Sequence, residues 1–173
     1  MFGALTALWG FTGVFALLSS AISRLAPTAL ALEFSQLSVV HWLALMFSLV
    51  FMGFAEGYRG FQKNFSPRVA ARVRYLRHNP SLLRFFLAPL FCMGFFYTTR
   101  KRKIVSFTLT FCIIMLVIIV SYIPQPWRGI IDAGVVFGLA WGVISMVLYT
   151  IEAMVKDHFH HSPETPCNNS EIG

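Results

Sequence analysis

The chain reads as an all-α integral membrane protein: a polytopic transmembrane helical bundle of four full spans plus one short partial or re-entrant helix, with five full spans as the alternative. Three observations point there. Over 173 residues it is 57% hydrophobic and 12% charged, roughly half the charged fraction of a soluble domain. Its apolar residues gather in runs near the ~20 residues that carry a helix across a bilayer core of about 30 Å. The formal charge of +7 is not spread out, because eleven of the 14 Lys and Arg lie between Arg59 and Lys103. This composition excludes an ordinary soluble enzyme, a disordered chain and a disulfide-stapled domain.

The first run, Phe2 to Ile22, is expected to span and to end at Arg24 and Pro27. A signal peptide is the lesser reading, since no basic residue precedes Arg24 and the run exceeds the usual ~7–15-residue apolar region. Leu37 to Ala55 is the second span, with His41 and Trp42 near its start and Glu56-Gly57-Tyr58-Arg59-Gly60 closing it. Ser66-Pro67 then looks like an N-cap with proline at the first helical position. The helix it starts should run to about His78. Val69, Val73 and Leu76 share one face, which suits either a helix on a membrane surface or an arginine-rich helix packed on its own bundle.

Leu82 to Thr99 is apolar but carries Arg84 in its first turn and Pro89 in its middle. After Arg100-Lys101-Arg102-Lys103, the run Ile104 to Ile123 is free of charge and spans. Pro124-Gln125-Pro126-Trp127-Arg128-Gly129 is a tight turn, and Ile130 to Ile151 is the last span. The chain is thus one transmembrane domain over 1–151, with a basic cytoplasmic segment at 57–103 and a polar tail at 152–173.

Charge decides between four spans and five. Positive residues near span ends stay in the cytoplasm. If 82–99 crossed, Arg100–Lys103 would face outward. If it dips and returns, all eleven basic residues remain inside. A re-entrant backbone needs protein around it, which points to a homodimer or a larger membrane complex.

The candidate sites follow. Gly134, Gly138 and Gly142 at steps of four, and Gly53 with Gly57, are helix-packing faces. Glu56 with Arg59, and Asp132 with Arg128, pair an acid with an arginine at helical reach. They read as two interfacial ion pairs, or as an ion or substrate path, because acids at membrane depth are costly. Arg68, Arg72, Arg74, Arg77, Arg100, Lys101, Arg102 and Lys103 are the expected contacts for anionic phospholipid headgroups.

No P-loop, H-E-x-x-H or G-x-S-x-G is present, so catalysis is not expected, and the polar stretch from Glu56 to Arg68 is the only place for a lipid-modifying site. His158, His160, His161 and Cys167 match no zinc spacing. Neither a cofactor nor a metal is expected, and no folded domain presents the basic charge to nucleic acid. The expected function is a non-enzymatic small membrane protein that self-associates or joins a complex. A small transporter or channel using the intramembrane acids is one alternative and a lipid-modifying membrane enzyme the other, and the bacterial inner (plasma) membrane is the expected location.

Overall fold

The computed structural model describes residues 2–33, 37–78, 82–95 and 100–155, and every regular element among them is a helix. Helix α1 spans Phe2–Leu30, α2 Val39–Met52, and a π-helical segment Gly53–Phe65 leads without a break into α3, Ser66–His78. Short helices α4 (Leu82–Phe86) and α5 (Ala88–Met93) follow, then α6 (Arg100–Ser121) and α7 (Trp127–Val155). Three helices are long and apolar enough to cross a membrane: α1, the 40-residue Val39–His78 helix and α7.

Several boundaries differ from those the sequence suggests. Arg24 and Pro27 do not end α1, which carries Pro27 inside it. A proline in the last turn forfeits one backbone donor, and the Pro27 carbonyl still accepts the Ala31 N–H at 2.9 Å. Glu56 to Gly60 does not close the second helix. The chain there widens into the π-helical turn, and Ser66 keeps helical dihedrals (φ −60°, ψ −45°) while its N–H donates to the Phe61 carbonyl, five residues back. Ser66 is therefore not an N-cap. Pro67, with no N–H to give, sits where the ladder returns to α geometry.

The described part of the 82–99 stretch, 82–95, forms two helical pieces of five and six residues, neither of which can cross a core of ~30 Å. Leu87 breaks them apart, with Pro89 just inside α5, and Gly94 at φ +88° ends α5 as a left-handed C-cap.

The three long helices form one bundle. His41 meets Trp127 with ring centroids 5.0 Å apart. Further along, the Ser48 hydroxyl donates to the Ile130 carbonyl, Trp141 to Gln62, and Arg77 to the Met154 sulfur. Residue numbers rise together in these pairs, so the Val39–His78 helix and α7 run parallel. Helix α1 runs against both: Gly3 lies under the Arg77 carbonyl, while the Gln125 amide reaches the Thr28 carbonyl at 3.4 Å.

The main core joins Ala7 and Val14 of α1 with Val69, Val73 and Leu76 of α3, Ala88, Phe91 and Cys92 of α5, and Met146 of α7. The apolar face of α3 is thus turned into the bundle, not onto a membrane surface. Helix α6 touches the rest near its ends, where Phe107 meets Phe95 with ring centroids 5.3 Å apart and Val120 is buried, and every residue from Phe111 to Ile119 is exposed.

Candidate functional site

Helix association in lipid depends on close packing, since lipid tails are as apolar as leucine. Here α7 turns its glycines toward the Val39–His78 helix. A Cβ at Gly134 would meet Ser48, and one at Gly138 would lie 3.2 Å from both the Glu56 Cβ and the Met52 carbonyl oxygen. At Gly142 it would fall 2.5–2.8 Å from three ring carbons of Phe61. In return, Gly53 and Gly57 receive the rings of Phe137 and Trp141, at 2.7 and 3.0 Å.

Gly134, Gly138 and Gly142 on α7 are four apart. Opposite them, Met52 to Glu56 is a step of four, but Glu56 to Phe61 is a step of five. The extra residue is taken up by the wider π turn, which keeps the two helices in register. Polar groups finish the seam: the Trp141 indole N–H donates to Gln62 Oε1 at 2.9 Å, and the Ser66 hydroxyl lies 3.5 Å from that of Ser145.

The two acids do not share a site. Glu56 packs on Gly138, and Asp132 lies six residues earlier on α7, about 9 Å along the axis. The Glu56–Arg59 pair is not made. In a π-helical turn positions i and i+3 no longer stack, and Arg59 is exposed while Glu56 faces α7. Arg128 Nε lies 3.8 Å from Asp132 Oδ2, an ion pair too long to be a hydrogen bond. Neither of those two atoms has a hydrogen-bond partner, and Asp132 is only 3% exposed.

The basic residues divide. Arg77, Arg100 and Lys103 are exposed, Arg68 and Arg74 half-buried, and the side chains of Lys101 and Arg102 lie outside the described set. Arg72, by contrast, is only 2% exposed. Its Nη1 donates to the Phe91 carbonyl at 2.6 Å and its guanidinium lies over the Phe91 ring at 5.4 Å. A cation on the last carbonyls of a helix is favoured by the helix dipole, so Arg72 ties α5 to α3.

A groove of about 600 Å³ opens between the π-helical segment and α7. Phe137, Trp141, Ile144 and Leu148 give it an apolar wall, with Gln62, Tyr149 and Glu152 at its polar edge. It is wide enough to hold an apolar chain. Among the described residues no three of His, Cys, Asp and Glu converge as metal ligands would. His158, His160, His161 and Cys167 fall outside the described residues. Compared with known protein families, curated proteins and solved structures, the chain matches none.

Proposed function

We propose that this chain is a non-enzymatic membrane protein that crosses the bilayer four times, gathers anionic lipid at its basic cytoplasmic end and self-associates through α6. Support for the crossings comes from parity. Because the Val39–His78 helix and α7 are parallel, the chain between them must return from one end of the bundle to the other an odd number of times. Helices α4 and α5 are too short for a crossing. Helix α6, 22 residues and about 33 Å long, is the element that makes the return. Both ends of α1–α7 then fall on the side of the basic residues of α3, as the positive-inside rule asks. The compartment we propose is the bacterial inner membrane.

The observation that carries self-association is the exposure of α6. An apolar stretch exposed all round, as Phe111 to Ile119 is, either stands alone in lipid or packs on another helix. Two small exposed residues one turn apart, Thr108 and Cys112, give α6 a surface on which a second α6 can approach closely. Oxidative cross-linking in native membranes of a Cys167→Ser variant tests this, with Cys112 as the reporter. A dimer band is expected. No cross-link from Cys112, nor from cysteines placed at Phe111, Ile114 or Ile118, would refute self-association through α6.

A second reading rests on Glu56. Its contact Gly138 lies eleven residues from Trp127, about 16 Å along the axis, near the middle of a core of ~30 Å. An acid at that depth suits a proton or ion path. Glu56→Gln would then abolish a pH-dependent flux in proteoliposomes, and an unchanged or absent flux would eliminate the path.

A further inference from the structure

We infer that the space over Gly94 is a binding site for one anionic oxygen of a phosphate group, held by Arg68, Arg72 and Ser106. The inference rests on the reading that the basic end meets anionic lipid, and it gives that encounter an address.

Three elements converge there. Helix α5 ends at Gly94, whose φ of +88° excludes ordinary side chains on backbone grounds. The point its Cβ would occupy lies 3.3 Å from Arg72 Nη1 on α3 and 3.4 Å from Ser106 Oγ on α6. A guanidinium and a hydroxyl from separate helices therefore face one spot that glycine leaves open. The pocket around that spot is about 20 Å³, which admits one water-sized group. Arg68, one turn before Arg72, forms another wall, with Phe65 and Met93 closing the sides.

The electrostatics favour an anion. Arg68 and Arg72 line the same small space, and their like charges raise its potential. Arg72 is fixed by the Phe91 carbonyl and ring, and the Arg68 Nε is held by the Asn64 carbonyl. Neither head group must surrender much freedom when a ligand arrives, and preorganisation of this kind favours binding. Arg100 and Lys103 stand exposed one to two turns before Ser106 on α6 and extend the positive field outward. Guanidinium forks match phosphate oxygens in geometry, and such charge-assisted hydrogen bonds are about twice as strong as neutral ones. A phosphate that inserts one oxygen between Arg68 and Arg72 leaves its remaining oxygens toward Arg100 and Lys103. The phosphate can belong to a lipid headgroup or be free in solution.

Native mass spectrometry of the full chain, delipidated in mild detergent, tests the site. It is titrated with phosphatidylglycerol, with a phosphate-free galactolipid and with inorganic phosphate. Wild type should bind phosphatidylglycerol in preference to the galactolipid. Arg68→Gln should weaken the tightest binding event about tenfold, the order expected for one hydrogen bond to a charged group. Ser106→Ala should weaken it several-fold, and the exposed control Lys63→Gln less than twofold. Thermal melting confirms that each variant is folded, and Ser106→Ala carries the test if Arg68→Gln is not.

Displacement of lipid by millimolar inorganic phosphate identifies free phosphate as a competitor for the same site and supports the chemistry. The lack of displacement, with the same variant effects, assigns the site to a lipid headgroup. Equal effects of Arg68→Gln and Lys63→Gln, with the wild-type lipid preference intact, overturn the site and leave the basic-end reading standing. If wild type shows no preference for phosphatidylglycerol, the reading falls and the site with it.

Discussion

Gly142→Ala is the substitution that probes the α7 seam most sharply. The new Cβ would sit 2.5, 2.7 and 2.8 Å from three ring carbons of Phe61, against an ordinary carbon–carbon contact of about 3.5–4.0 Å. The ring would have to retreat by about 1 Å. It has little room to do so, because it already stands edge-on to Phe65 with centroids 5.4 Å apart. Overpacking of this kind costs about 1–3 kcal/mol, offset by up to about 1 kcal/mol from replacing a helical glycine with alanine.

A net loss of about 1–2 kcal/mol is expected, a fall of several degrees in the melting temperature of a chain this size. Gly138→Ala is the matched control. Its Cβ would meet Glu56 and Met52 at 3.2–3.3 Å, so a few tenths of an ångström suffice and the propensity gain roughly cancels the cost. Melting in detergent, followed by indole fluorescence, measures both, and blue-native electrophoresis reports their assembly state. The reasoning fails if Gly142→Ala melts no lower than Gly138→Ala. It fails equally if either variant changes the assembly state without changing the melt, for then the face packs between copies and not within one.

Three further outcomes follow from the same geometry. Trp141→Phe keeps the ring over Gly57 but loses the 2.9 Å bond to Gln62, so it should destabilise the fold by about 0.5–1.5 kcal/mol; Gln62→Leu in the same background should cost little more. Cys112 is exposed and Cys92 buried, so a lipid-soluble maleimide should label the first in the native protein and the second only after denaturation, as peptide mass spectrometry would reveal. Arg72→Gln should destabilise the fold by about 1.5–3 kcal/mol through the lost charged hydrogen bond at the end of α5. Limited proteolysis near Gly94 should accelerate in that variant, whereas Arg77→Gln leaves it unchanged.

The sequence makes the helices legible and their ends poorly so. Hydropathy marks α1, α2 and α7 because a run of apolar residues has no other stable setting at that length. It places the ends of the first two at Arg24 with Pro27 and at Glu56, and it reads Ser66-Pro67 as a fresh start, yet the chain stays helical through each. A helix tolerates a proline near its end or at a change of ladder, and a charged residue need only turn outward.

The glycine spacing on α7 identifies a close-packing face but not its partner. The partner is visible only once the π-helical step from Glu56 to Phe61 brings a second helix into register. No residue pattern announces a π-helix of that length. Gly3, Ala7, Gly10 and Val14 lie at heptad spacing on α1, as visible in the sequence as the Gly134 series, and they mark a packing face that an argument from charge passes over. Arg72 is harder still. Its burial depends on the carbonyl of Phe91, nineteen residues away, and no local rule separates it from Arg68 or Arg74.

The central claim is that the Val39–His78 helix and α7 run parallel, so that the chain returns once between them. A topology reporter fused after Gly173, paired with one inserted in the turn at Gln125, measures this directly. The account requires the Gly173 fusion to read as cytoplasmic and the Gln125 insertion as external. A Gly173 fusion that reads as external would contradict it.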